Sequence, residues 1–146
     1  MRDVNLALMG VAQGTYYVAL ADTLLLPYEA HTYIAQTPYS PTAMETILSF
    51  IKRNNIYTLT TGNELTIRTI AQLSTAGAGG KGRLAAYKND ENTIKLHLPM
   101  PHRFLPLWQD GPMNFTVPGV FRTGGLELLS TKAMRYVDNI SEPLAG

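Results

Sequence analysis

The sequence predicts an α+β fold in which helices occupy the first third of the chain and strands follow. Apolar residues near the start recur with a helical period, as in Val4, Leu8 and Val11. From Ile56 onward β-branched residues alternate with other residues, which is typical of strands. A chain of 146 residues has the length of one domain and buries roughly two-thirds of its unfolded surface. One core is therefore expected.

Three helices are predicted before residue 55. The first spans residues 3–13 and carries a wide apolar stripe. A short second helix is opened by Pro27, whose fixed φ suits a first helical position. The third spans residues 41–53, with Ser40 or Thr42 as its cap and basic residues in its last turn.

Extended segments are predicted from β-branched or apolar content between turn residues. Two of them, residues 16–20 and 23–26, precede the second helix. The others are predicted at residues 56–60, 65–70, 83–87, 94–98 and 134–140.

Five of the nine prolines fall within residues 99–118, which forbids a long helix and forces an extended backbone. We call residues 98–108 the strap. Its apolar side chains include Met100, Phe104, Leu105, Leu107 and Trp108. A β-hairpin is predicted next, with arms at 114–122 and 126–129 and a turn at residues 123–125.

Composition excludes several classes of protein. The net charge of +1 argues against nucleic-acid binding as the main activity, because phosphate contacts need a concentrated basic face. The chain has no Cys, which rules out disulfides, thiolate zinc sites and a cysteine nucleophile. Its apolar runs are too short to cross a membrane. Only 16% of residues are charged, against roughly a quarter in an average domain, and such a surface often rests against other protein.

Residues 74–82 form a predicted loop that contains Gly77, Gly79, Gly80, Lys81 and Gly82. Three of these glycines match the G-x-G-x-x-G pattern of dinucleotide-binding turns. That pattern requires a following helix, whereas residues 83–87 look like a strand. A small nucleotide- or ligand-binding domain that uses this loop is kept as the alternative function, and a surface loop is favoured.

No catalytic or cofactor motif is visible. The three histidines lack metal-ligand spacing, no G-x-S-x-G nucleophile is present, and the carboxylates show no pairing. We therefore predict no enzymatic activity, no cofactor and no metal site. Apolar extended segments without chemistry favour a structural or interaction protein.

Several short motifs follow one another along the chain in a characteristic order. These are Ala21-Asp22-Thr23-Leu24-Leu25-Leu26-Pro27, Tyr33-Ile34-Ala35-Gln36-Thr37-Pro38-Tyr39-Ser40, Gly77-Ala78-Gly79-Gly80, Leu98-Pro99-Met100-Pro101, Phe115-Thr116-Val117-Pro118, and Arg122-Thr123-Gly124-Gly125 before Tyr136-Val137-Asp138. In this order the chain resembles the C-terminal half of tailed-phage major capsid proteins, in an encapsulin-like branch.

The resemblance implies the coat fold named for phage Hong Kong ninety-seven. Residues 1–98 would be the axial-domain-like region, with helices packed on a small mixed sheet. Residues 99–146 would comprise the proline-rich strap, the hairpin and a return to the peripheral domain, with its long strands. Relatives are about twice as long, so an N-terminal half is expected elsewhere, in a truncated, split or processed product.

The implied function is that of a structural subunit of a phage or prophage icosahedral capsid that acts by self-assembly. Its partners would be other capsid subunits, as a homo-oligomer, or a complementary chain carrying the N-terminal half, without membrane or sequence-specific nucleic acid. The protein would reside in the virion capsid, and in the host cytoplasm during assembly. Candidate subunit contacts are Gly77, Gly79, Gly80, Lys81, Gly82, Phe104, Leu107, Trp108, Arg122, Glu127 and Arg135. Pairs of Glu127 or Asp138 with Arg122 or Arg135 are expected to fix register at subunit edges.

Overall fold

A computed structural model describes residues 2–42 and 44–140. Its helices are α1 (Arg2–Gly14), α2 (Tyr28–Gln36), α3 (Ile47–Arg53) and α4 (Ile56–Thr61). Its strands are β1 (Thr23–Leu26), β2 (Thr66–Thr69), β3 (Gly82–Tyr87), β4 (Ile94–His97), β5 (Met100–Phe104), β6 (Trp108–Gln109), β7 (Phe115–Thr116), β8 (Gly119–Arg122), β9 (Gly125–Leu128) and β10 (Met134–Ile140). Short 3-10 turns lie at Ala71–Ser74, Ala78–Gly80 and Thr131–Ala133. The α+β prediction is confirmed.

The chain divides into two compact units. The first contains the residues up to Asp90 and those from Ser130 onward, and the second is Glu91–Leu129. These units reflect compactness alone, so the division into regions 1–98 and 99–146 stays a prediction. Residues 141–146, at the end of the predicted return segment, lie outside the described residues.

The first unit contains a four-stranded mixed sheet in the order β10-β3-β1-β2. β1 pairs with β2 in parallel, and with β3 in antiparallel orientation; β3 also pairs antiparallel with β10. The predicted strands at 23–26, 65–70, 83–87 and 134–140 are therefore confirmed, as is the small mixed sheet. β1 and β3 are central and mostly buried, in agreement with their apolar sequences.

The core of this unit forms between α1 and the sheet. Ala7, Leu8 and Val11 are buried on one face of α1, and Leu24 and Leu84 are buried on β1 and β3. Each large apolar side chain buried in this way stabilises the fold by about 1.5–3 kcal/mol. The helical period of α1 therefore has its expected role, and the predicted helix at 3–13 is confirmed.

The third helix begins later than predicted. α3 starts at Ile47 and is capped by Thr46, whose side-chain oxygen accepts a hydrogen bond from the Ser49 amide. The preceding segment is held instead by backbone hydrogen bonds from Tyr39 to Glu45 and from Ile47 to Thr37. The Glu45 carbonyl and the Ile47 amide are therefore engaged outside the helix, where a longer α3 would need them for its own backbone hydrogen bonds. Residue 43 of the predicted helix lies outside the described residues.

The predicted strand at 56–60 is wrong, because this segment forms α4. Its β-branched content favours a strand, but its two ends carry helix signals. Asn55 caps the start by accepting from the Thr58 amide, and Gly62 ends the helix in the left-handed conformation with φ of 75°. Capping thus outweighs the intrinsic preference of the residues between.

The second unit is one long β-hairpin, which we call the ribbon (Glu91–Leu129). β4 pairs with β9, β5 with β8 and β6 with β7, all antiparallel. The chain reverses at residues 110–114, where the Asp110 amide donates to the Asn114 carbonyl over 3.0 Å. The strap therefore lies within the first arm of the hairpin.

The predicted hairpin turn at residues 123–125 is wrong. These residues lie within the second arm, and the Gly124 amide donates to the His97 carbonyl on the first arm. The pairs His97–Gly125 and Met100–Arg122 keep one register through this segment, and Gly125 has φ of 90°, a conformation that favours glycine. The reversal is placed by the Asp110-Gly111-Pro112 sequence instead.

Candidate functional site

The ribbon has almost no core of its own. Thr93 is its only buried residue along Glu91–Leu129, all of which the structure describes. An isolated two-stranded hairpin is marginally stable in water, because it has nothing to bury its apolar side chains against. Within the described chain, the apolar side chains of the ribbon therefore stay largely in contact with solvent.

Predicted contact residues of the strap are prominent on this ribbon. Phe104 is 70% exposed and Trp108 is 69% exposed, with Leu107 similarly open. Other large exposed apolar side chains of the ribbon are Leu96, Leu98, Leu105, Met113, Phe115, Val117, Phe121, Leu126, Leu128 and Leu129. Monomeric soluble proteins rarely expose so many in one continuous element, so this pattern marks an interaction surface.

The charged candidates of the second arm have different surroundings. Glu127 lies opposite Lys95 in the β4/β9 register, and its carboxylate is 2.7 Å from Nε2 of His97. Arg122 is exposed and faces Met100 across the ladder. Within the chain, Glu127 thus bonds a histidine, and an edge pair between Glu127 and Arg122 stays a prediction about neighbouring subunits.

The glycine loop is closed by its own backbone. The Gly77 amide donates to the Lys81 carbonyl over 2.8 Å, and a Cβ on Gly77 would lie 2.6 Å from that oxygen. Gly79 and Gly80 adopt positive φ, and Gly82 begins the buried strand β3. A strand follows this loop where a dinucleotide fingerprint requires a helix. The geometry therefore gives no support to the ligand-binding alternative.

Asp138 is engaged inside the first unit. Its two carboxylate oxygens accept from Nε and Nη2 of Arg83 at 2.5 and 3.0 Å. This hydrogen bond from Arg83 lowers the pKa of Asp138 against an opposing effect of burial, and the same bond raises the pKa of Arg83. The Arg83 guanidinium also lies 5.0 Å from the Tyr136 ring centre. The pair fixes β10 onto β3.

Arg135 projects from β10 toward α1. A Cβ built on Gly10 would lie 3.1 Å from its Nε atom, so Gly10 leaves room for this side chain. Arg135 therefore helps α1 pack on the sheet. Of the candidate residues, the glycine loop and Arg135 lie in the first unit, and the other candidates lie on the ribbon.

One exposed feature was missed by sequence analysis. Residues 16–20 were predicted to be extended, but Tyr16 and Tyr17 have φ of 53° and 62° and form a left-handed turn after α1. Each non-glycine residue in this region costs about 1–2 kcal/mol. Nothing in the dipeptide itself signals this conformation, since Gly or Asn is the usual occupant.

Comparison with known proteins decides the family. A family model described as major capsid protein matches residues 1–140. The chain belongs to the major capsid protein family. This capsid-family chain is also similar in fold to a chain from the capsid of Myoviridae phage XM1, with a TM-score of 0.76 and 18% sequence identity. The match covers 92% of the present chain and 43% of the XM1 chain, so the capsid-family chain spans less than half of that relative. No curated protein sequence matches it.

Membership in this family confirms the predicted resemblance to major capsid proteins and the structural, capsid-located role at the level of the family, and the match to their C-terminal half stays a prediction. The encapsulin-like branch stays a prediction. Across residues 2–42 and 44–140, no group of three His, Asp or Glu side chains is placed to hold a metal ion. No helix in the same described part combines the length and apolarity that a membrane span requires.

Proposed function

We propose that the chain is a structural subunit, or the C-terminal half of one, of an icosahedral capsid of a tailed phage or prophage. It acts by self-assembly in the host cytoplasm, becomes part of the virion and carries no enzymatic activity. The observation that supports this most directly is the ribbon, a long apolar hairpin with a single buried residue in a member of the major capsid protein family.

The energetics favour assembly through the ribbon. Covering one large side chain such as Phe104 or Trp108 contributes roughly 1.5–3 kcal/mol. A closed shell repeats the same heterologous contact around its symmetry axes, so modest contacts suffice when many act together. The candidate residues of the strap supply apolar area in this proposal, and Arg122 and Glu127 supply polar specificity at the rim.

The proposed partners are further capsid subunits. The match covers less than half of the XM1 chain, so the remaining part of a coat subunit, in the same polypeptide or in a complementary chain, is a second proposed partner. In the same proposal residues 1–98 are axial-domain-like, with the glycine loop near the capsomer axis, and residues 99–146 lead back to the peripheral domain.

Sedimentation velocity over a concentration series tests the proposal. We expect the purified chain to associate in a concentration-dependent manner, and Phe104→Ser combined with Trp108→Ser to weaken this association by at least about tenfold. Leu59→Ser is the matched control, because Leu59 is 74% exposed on α4, outside the ribbon. A chain that stays monomeric at every concentration, or equal effects of the two variants, would contradict the proposal.

A further inference from the structure

The turn after α1 is held firmly in an unfavourable conformation. The Thr15 hydroxyl lies within hydrogen-bond distance of the Val11, Ala12 and Ala19 carbonyls, to any one of which its single proton is donated, and it accepts from the Ala19 amide. The Tyr17 amide donates to the Ala12 carbonyl over 2.7 Å. These bonds fix two successive tyrosines in the left-handed region. Strain of this kind persists only where surrounding contacts hold it, and strained residues cluster at functional sites.

The side chains of this turn point into solvent. Tyr16, Tyr17 and Val18 are 81%, 64% and 85% exposed. Glycine would adopt the same backbone at no steric cost, so the local fold does not require tyrosine. A rigid, exposed pair of aromatic rings is typical of the residues that dominate the energy of protein interfaces. We call residues 16–18 the aromatic turn.

A positive charge adjoins the aromatic turn. Nζ of Lys132 lies 5.6 Å from the centre of the Tyr16 ring, on the side where cation–π attraction operates. No carboxylate of the described chain lies within ion-pair distance of Lys132. The aromatic turn thus presents aromatic rings beside a cation that has no ion-pair partner among residues 2–42 and 44–140.

A surface of complementary character lies on α2. Tyr28, Glu29, Thr32, Tyr33 and Gln36 line a wide-open, shallow cleft on one face of this helix. Tyr28 and Tyr33 are 55% and 44% exposed. No cation within the described residues is in ion-pair range of Glu29. The cleft therefore offers two exposed tyrosines and a carboxylate that has no ion-pair partner among the described residues.

The two surfaces lie at different places on one unit. The aromatic turn leads into the Thr23 end of β1, and Lys132 precedes Met134, which pairs with Tyr87 at that same end of the sheet. α2 begins after Leu26, at the other end of β1. Separate surfaces of opposite charge on one subunit suit a head-to-tail contact between copies, the kind that closes into rings.

We propose that the aromatic turn of one copy docks in the α2 cleft of a second copy of this chain, with Lys132 of the first facing Glu29 of the second. This inference rests on the proposed function, because it specifies one of the contacts through which the subunits assemble. It assigns the strained tyrosines a role in recognition, where their apolar area and fixed geometry lower the entropy cost of binding.

Replacement of both tyrosines by glycine separates the two roles of the turn. Measured at a concentration where all variants are monomeric, Tyr16→Gly with Tyr17→Gly raises Tm by about 2–5 °C, because the strain is relieved. The same variant weakens association by at least about tenfold in sedimentation velocity. Unchanged association, with Leu59→Ser as the surface control, would overturn the inference.

Charge reversal tests the partner surface. Lys132→Glu and Glu29→Lys each weaken association by about tenfold, because each places like charges together. The double variant, or an equimolar mixture of the two single variants, restores it to within about threefold of the original chain, since opposite charges face each other again. If the original chain associates but the double variant does not regain association, this contact alone is overturned. A monomeric original chain overturns the proposed function itself.

Discussion

Asn55 connects two helices through a single buried side chain. Its Nδ2 donates to the carbonyls of Ile51 and Lys52 and to the Thr58 hydroxyl, and its Oδ1 accepts from the Thr58 amide. Asn55→Ala removes these bonds and the cap of α4, and it leaves the Lys52 carbonyl with the Thr58 hydroxyl as its donor. We expect the free energy of unfolding to fall by about 2 kcal/mol in urea denaturation.

The neighbouring asparagine provides the control for that experiment. Asn54 is exposed, and its backbone amide rather than its side chain closes the last turn of α3. Asn54→Ala is therefore expected to change the free energy of unfolding by no more than about 0.5 kcal/mol. Similar losses for both variants would contradict the role assigned to the Asn55 side chain.

Asp138 makes the stability of the first unit depend on pH. The hydrogen bond from Arg83 lowers its pKa in the folded chain, so its contribution is present above the unfolded pKa of about 3.9 and is lost as the pH falls through the folded value. We expect Asp138→Asn to lower Tm at pH 7 and the difference from the original chain to shrink below about pH 4. Thermal melts between pH 7 and pH 2 measure this.

Asp110→Asn is the matched control for that pH series. Asp110 is exposed at the reversal of the ribbon, and its structural bond is made by its backbone amide. Its substitution is expected to leave the pH profile unchanged. A constant Tm difference for Asp138→Asn across the whole pH range would show that the pair acts through packing rather than charge.

Sequence analysis did not predict the intramolecular partner of Asp138, and the role of the strap residues as subunit contacts stays a prediction. The apolar strap residues Phe104, Leu107 and Trp108 are exposed on the ribbon, where the proposed function needs apolar contact area. Asp138 was expected at a subunit edge, yet it bonds Arg83, which is 55 positions away in the sequence. Such a pair depends on the register of β10 on β3, and spacing along the chain carries no information about that register.

At the scale of elements, periodicity predicted those that bury one face. α1, β1 and β3 were predictable because the core selects their apolar residues. α4 was not, because its six residues rely on Asn55 and Gly62 at its ends rather than on an apolar stripe. The sequence also predicted the ribbon's reversal at the wrong place, residues 123–125. Both this segment and residues 110–112 have turn-forming sequences, and only the pairing between the two arms decides which of them forms the turn.

The contrast between buried and exposed strands gives a prediction at this scale. Leu24 is fully buried in β1 and Leu96 is 60% exposed in β4. Leu24→Ala is expected to lower the free energy of unfolding by about 2–5 kcal/mol, because it leaves a cavity in the core. Leu96→Ala is expected to change it by less than about 0.5 kcal/mol while weakening association. Urea denaturation and sedimentation of both variants measure this, and equal destabilisation would contradict the assigned burial.

At the scale of the whole molecule, the two units differ in what holds them together. The first has a core shared by α1 and the four-stranded sheet, and the second has ladder hydrogen bonds with apolar side chains left in solvent. Under the proposed function, a neighbouring subunit covers these side chains and so completes the second unit. Folding and assembly are thereby linked, since covering the ribbon stabilises the folded state by mass action.

Hydrogen exchange tests this link directly. Local stability follows buried apolar contacts, so amides of β4, β5, β8 and β9 are expected to exchange at least about a hundredfold faster than those of β3 in the dilute, monomeric chain. On association, the ribbon amides gain protection because their surface is covered, and those of β3 change little. The variant Phe104→Ser with Trp108→Ser is the control at the same high concentration. Because it associates weakly, its ribbon amides are expected to keep exchanging rapidly, so that any protection in the original chain comes from association and not from protein concentration itself. Ribbon amides as protected in the monomer as those of β3 would mean that the hairpin is stable alone, and the physical reason for assembly through it would be lost.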